Sequence, residues 1–171
     1  TETLFQANEI APEKYDPPGR LKCVNLKTGE VKTLVDGGPT ALARDPEVDF
    51  DGRKVLFSMR RSREDGYHLY EVNADGSQLK QLTRAENVSD IDPLYLPDDH
   101  IAFTSTREPK YCMCNRHIMG NLFRMEADGA NIHQIGKSTL FEGHSSLTPD
   151  GRILYDRLEY VARTCGDAQG L

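Results

Sequence analysis

Apolar residues along this chain fall in short runs of two or three, separated by charged or turn-forming stretches, and the runs recur in the same order. Residues 90–135 show the pattern most completely. They predict four short strands: one after Asp92-Pro93, then residues 100–106, 121–125 and 131–135. Turn residues separate them at Pro97-Asp98-Asp99 and at Ala127-Asp128-Gly129. A loop over residues 108–120 is expected between the second and third strands, and it holds two of the four cysteines and a histidine.

The same beat runs before and after this stretch. Residues 45–83 form a first complete unit, with Val55-Leu56-Phe57 matching Ile101-Ala102-Phe103 and Ala74-Asp75-Gly76 matching Ala127-Asp128-Gly129. The offset grows from about 46 to about 53 residues, and the insertion in the 108–120 loop accounts for it. A third, partial copy occupies residues 144–171, where Pro149-Asp150-Gly151 stands over Pro97-Asp98-Asp99 and Ile153-Leu154-Tyr155 over the middle strand. Residues 20–35 read as a hairpin supplying the last two strands of a unit, and residues 1–19, broken by Pro12, Pro17, Pro18 and Gly19, as a lead-in loop. The expected class is therefore all-β: a β-propeller of four-stranded antiparallel blades, about three of them present. A β-sandwich with coincidental Asp-Gly turns is the competing architecture. Because four to eight blades close a propeller, residues 20–171 are expected to be a partial ring, or a segment of a larger one completed by other chains or domains.

Composition narrows the functions. A formal net charge of −6 in 171 residues argues against a nucleic-acid surface, which needs clustered Lys and Arg. No run approaches the roughly 20 apolar residues of a membrane helix. Thr1 is followed by acidic and polar residues, so no signal peptide is read at the start. Four cysteines are too few for a disulfide scaffold. No Gly-x-Ser-x-Gly elbow and no phosphate-binding glycine loop occurs, and no catalytic residue is assigned.

The chemistry-bearing residues converge on one face of the expected ring. Cys112, Cys114 and His117 lie in the 108–120 loop, and Cys165 in the equivalent loop of the next blade. Three thiolates and an imidazole fit zinc in ligand type and number, although the spacing matches no compact zinc motif. A disulfide from Cys165 to Cys112 or Cys114, or unpaired thiols, are the alternatives. Arg107, His144, Asp156 and Arg157, with Glu159, are placed at the same rim, where they could form a polar pocket or a set of interblade salt bridges. Cys23 is expected to be a small buried hydrophobe, and His68, His100 and His133 to be surface or strand positions.

The recurring Asp-Pro, Pro-Asp-Gly, apolar triplet and Ala-Asp-Gly positions over residues 20–171 resemble the TolB-like propeller repeat, also found in prolyl-oligopeptidase-type enzymes. A narrower likeness, in FTSTREPKYCMCNRHIMGNLFRMEADGANIHQI and LFEGHSSLTPDGRILYDRLEYV, is to large exported TolB-like proteins of planctomycete type, related to the hydrazine synthase alpha subunit. That resemblance implies a periplasmic or otherwise exported propeller, one part of a longer chain, with c-type haem and zinc able to sit beside it. It makes the disulfide the strongest competitor for the cysteines. The haem attachment signature Cys-x-x-Cys-His is absent, so haem is implied only through regions outside this chain. Leu158 stands where relatives carry Trp. Three functions follow as expectations: a binding module holding a protein partner or small ligand at its loop face, the propeller of a haem- or zinc-dependent redox enzyme, or the gating propeller of a peptidase whose hydrolase domain lies outside this stretch.

Overall fold

The computed structural model describes residues 16–112, 118–160 and 167–170. Among them every regular element is a strand. Strands β1 (Arg20–Val24) and β2 (Val31–Asp36) form a two-stranded hairpin. Strands β3 (Leu42–Val48), β4 (Lys54–Arg60), β5 (His68–Asn73) and β6 (Lys80–Gln81) form the first four-stranded antiparallel sheet, in sequence order. Strands β7 (Asp90–Tyr95), β8 (His100–Tyr111), β9 (Ile118–Glu126) and β10 (His133–Gln134) form the second. Strands β11 (Phe141–Leu147), β12 (Ile153–Tyr160) and β13 (Asp167–Gly170) form a third. These are antiparallel propeller blades, four-stranded in the first two and three-stranded among the described residues of the third, stacked one on the next.

The stacking follows from the side-chain alternation of the second strand in the first two blades, where that strand is covered on both faces. In β4, Val55, Phe57 and Met59 point back to Leu21 and Val35 of the hairpin, whereas Leu56 points forward. Forward of Leu56 lie Ile101, Phe103, Phe123 and Met125 of the second blade. On the far side of that blade, Ala102, Leu94 and Leu96 meet Leu147 and Ile153 of the third. Period-2 alternation thus sends one set of side chains into each of two interfaces, which is why the second strands read as unbroken apolar triplets.

The turn glycines tighten the outer part of the stack. Gly76 and Gly129 both sit at positive φ, 87° and 95°, where a side chain is strained. A Cβ on Gly129 would come within 2.5 Å of the Leu82 carbonyl oxygen of the preceding blade, and one on Gly76 within 3.1 Å of Leu34. Each Ala-Asp-Gly turn is therefore pressed against the last strand of the blade before it.

Four details differ from the sequence reading. The Asp-Pro pairs lie inside the first strands of their blades, at a bulge, rather than ahead of them. His144 likewise falls in the middle of β11 and does not begin it. Where it is described, the expected 108–120 loop is mostly paired strand: β8 and β9 continue past their sheet, with Lys110 opposite Met119 and Tyr111 opposite Ile118. Glu108, Pro109 and Tyr111 are exposed on this ribbon while Cys112 and Met119 are buried, a polar stretch with few apolar positions that in sequence resembles a loop. Cys23 is exposed, because β1 belongs to a two-stranded sheet and buries only Leu21.

Candidate functional site

The first strands of the blades, β3, β7 and β11, are neighbours in space and form the inner edge of the stack. Each carries the same irregularity. The register shifts between Arg44 and Glu47, between Ile91 and Leu94, and between Gly143 and Ser146, one extra residue on the inner strand each time. At each bulge one residue takes the left-handed conformation: Asp45 at φ 51°, Asp92 at 56° and His144 at 52°. Asp and His are among the few non-glycine types that tolerate this region. Proline follows the first two, where a missing N–H disturbs no ladder bond.

A bulge on an edge strand leaves backbone N–H groups without ladder partners. Here the preceding blade supplies the acceptor. The Asp92 N–H donates to Asp45 Oδ2 at 3.2 Å, and the Ser145 N–H donates to Asp92 Oδ2 at 3.1 Å. The His144 N–H also bears on the Asp92 carboxylate, so the Ser145 bond is an addition, one that Pro93 at the same place in the second blade cannot make because it has no N–H. Asp45 is also paired with Arg44 Nε at 2.8 Å.

Carboxylates crowd this edge. Burial, and secondarily the Asp45 charge, pushes the Asp92 carboxyl above its ordinary range, although the Ser145 N–H pulls the other way. Burial and the Asp92 charge raise Glu47 likewise.

Two residues before each of the later bulges lies a buried acid. Glu142 accepts the Ser138 N–H on Oε1 at 3.0 Å, and on Oε2 the Asn121 side-chain amide at 2.9 Å and the Leu122 N–H at 3.4 Å. It thereby fastens blade three to the β9 strand of blade two. Its counterpart Asp90, fully buried, pairs instead with the guanidinium of Arg107. That guanidinium also donates to Ser105 Oγ at 2.8 Å and lies 5.6 Å from the centre of the Phe103 ring.

The residues expected at the rim sort into pairs. His144 and Asp156 are together, Nδ1 to Oδ2 at 3.0 Å, with 43% and 56% of their side chains exposed. Arg157 pairs with Glu159 on its own strand, and Arg107 with Asp90. Cys112 is buried beside Met119, Leu140, Phe141 and Leu158. Cys114, His117 and Cys165 lie outside the described residues, and among those described no group of three or more His, Cys, Asp or Glu could hold a metal. His100 and His133 are strand positions hydrogen-bonded to Asp98 and Asn131 carbonyls at 2.7 and 2.8 Å; His68 is a buried strand residue 3.2 Å from Asp65 Oδ1. Sequence reasoning missed the linking role of Asp45, Asp92, Glu142 and Asn121. The repeated Asp-Pro was the available signal for the first two.

Blade stacking of this kind is the architecture of TolB-like β-propellers, and solved structures bear that out. The chain superimposes on a chain of Kuenenia stuttgartiensis hydrazine synthase with a TM-score of 0.70 at 22% identity, covering 91% of this chain and 27% of that one. It superimposes on TolB from Acinetobacter baumannii with a TM-score of 0.63 at 17% identity, covering 88% of this chain and 33% of that one. In sequence it is 37% identical to the hydrazine synthase subunit alpha of Kuenenia stuttgartiensis over 70 residues, 40% of this chain and 8% of the relative. The chain thus spans a third or less of each of these three relatives. No family model matches it. No helix among the described residues is long and apolar enough to cross a membrane.

Proposed function

We propose that this chain is a segment of a larger, exported TolB-like propeller, and that it serves as a binding module whose loop face holds a protein partner or a small ligand. The observation that carries the reading is the β8–β9 hairpin. It runs beyond the sheet it belongs to and presents Tyr111, 62% exposed, beside the exposed Glu108 and Pro109. A paired ribbon that carries a solvent-facing aromatic suits contact with a partner, since tyrosine offers large amphipathic area at small entropic cost. The test is cross-linking of the full-length protein in its native extract, comparing wild type with Tyr111→Ala. A partner recovered by the wild type and lost from the variant supports the reading; an unchanged set of cross-links through this hairpin contradicts it.

A second reading is favoured by the 37% identity to hydrazine synthase subunit alpha. In it the chain is the propeller part of a haem- and zinc-dependent redox enzyme. Cys112, Cys114, His117 and Cys165 would then be the zinc ligands, and haem would be carried outside this chain. The packing of Cys112 among apolar side chains gives this little support. Metal analysis of full-length protein prepared without chelator decides it, alongside a Cys112→Ser/Cys114→Ser variant. Zinc in the wild type and none in the variant supports this reading, and neither zinc nor iron in either sample contradicts it.

A further inference from the structure

Three residues occupy one place in the repeat, opposite the first paired residue after the bulge: Leu56 faces Glu47, Ala102 faces Leu94 and Leu154 faces Ser146. Leu56 and Ala102 are completely buried, each under the blade that follows. Leu154 is 46% exposed. On the inner edge of the same blade His144 stands where Asp45 and Asp92 stand, at the same bulge and the same backbone conformation. Those two aspartates each accept a backbone N–H from the next blade.

His144 can fill that role in one tautomer. Asp156, on β12, faces its Nδ1 and favours the Nδ1–H form, which leaves Nε2 as a lone-pair acceptor. Among the described residues Nδ1 to Asp156 is the one hydrogen bond of the ring. The other charges near it are Asp92 on β7, Glu142 on β11 itself, which is turned into the blade-two junction, and the Arg157–Glu159 pair on β12.

We infer that the β11–β12 face is a docking surface for one further four-stranded blade of the same polypeptide, with Leu154 beneath it and neutral His144 Nε2 accepting a backbone N–H of its innermost strand. This rests on the reading of the chain as a propeller segment. It makes the third junction chemically unlike the first two, because protonation turns an imidazole acceptor into a donor and ends the bond.

Amide exchange of the full-length protein, corrected for intrinsic rates and read at pH 8 and pH 5, tests the inference. The inner strand of the following blade is expected to lose about fivefold in protection at the lower pH, the size of one hydrogen bond, whereas the buried Leu69 amide, which donates to the non-titrating Thr83 Oγ1 at 3.0 Å, changes less. His144→Asp, which restores the residue type of the earlier blades, should abolish the difference. The imidazole nitrogen shifts of His144 should report the Nδ1–H tautomer at pH 8. Protection of that strand without pH dependence, or an Nε2–H tautomer, overturns the histidine acceptor and leaves the propeller reading standing. Absence of any protected strand packed on Leu154 overturns both.

Discussion

Asp45 Oδ2 accepts the backbone N–H of Asp92 at 3.2 Å, and the two aspartates occupy the same place in consecutive blades. One residue type therefore performs two tasks in the repeat: it adopts the left-handed bulge of its own strand and caps the exposed edge of the next. Asp45→Ala removes the acceptor and strains the bulge, and should lower stability by about 1–2 kcal/mol. Asp45→Asn keeps an acceptor and tolerates the conformation, so it should cost clearly less. Chemical denaturation of both variants checks this; equal effects would remove the cap from the account.

Asp92 should make this junction weaken toward neutral pH. Burial raises its carboxyl above the ordinary value of 3.8, so the folded chain holds the proton more tightly than the unfolded one. The resulting contribution is complete below the unfolded value and is lost as pH rises through the raised folded value. Asp92→Asn retains an acceptor for the Ser145 N–H and carries no charge, so the variant should gain on the wild type between pH 4 and pH 7. Unfolding free energies at the two pH values measure that gain. Asp36, held below its usual range by Arg20 and the Gly38 N–H, has the opposite sign and loses its contribution in acid.

Gly136 leaves no room for a side chain. A Cβ there would lie 1.8 Å from Glu142 Oε2, so Gly136→Ala must displace the carboxylate from the Leu122 and Asn121 donors. A loss of about 2–3 kcal/mol is expected, the size of overpacking joined to unmade hydrogen bonds. Glu142→Gln should cost less than Glu142→Ala, since the amide oxygen can keep one of the contacts. Thermal melts of the three variants give the order.

Two turn glycines separate backbone strain from blade contact. Gly52 and Gly129 both have positive φ, but a Cβ on Gly52 meets nothing within 4 Å, whereas one on Gly129 meets the Leu82 carbonyl oxygen. Gly52→Ala should cost about 1 kcal/mol from the backbone alone. Gly129→Ala should cost at least twice that, and the excess reports the closeness of the stack. Equal losses would mean the second and first blades are not pressed together there.

The repeat was legible because the first two blades bury their second strands on both faces, which forces the triplets Val55-Leu56-Phe57 and Ile101-Ala102-Phe103 into the sequence. The Asp-Gly turns were legible for the same local reason: glycine is needed where φ is positive. What could not be read depended on partners distant in sequence. A bulge is a relation between two strands, so Asp92-Pro93 looked like a turn ahead of a strand. The β8–β9 extension looked like a loop because its apolar partners, Leu140, Phe141 and Leu158, lie in the next blade and its own sequence is mostly polar. Glu142 drew no attention, since its donors Asn121, Leu122 and Ser138 form no motif. At the rim, Arg107, His144, Asp156 and Arg157 were placed by topology alone, and their pairing is a matter of side-chain reach. His144 and Asp156 meet, whereas Arg107 and Arg157 turn to nearer acids.

A crystal structure of the full-length protein tests the central claim, that successive blades stack around one inner edge, most directly. The account predicts β3, β7 and β11 side by side at that edge, with Asp45 Oδ2 within hydrogen-bonding distance of the Asp92 nitrogen. Two layers of sheet packed face to face, with Asp45 and Asp92 on opposite sides of the molecule, would contradict it.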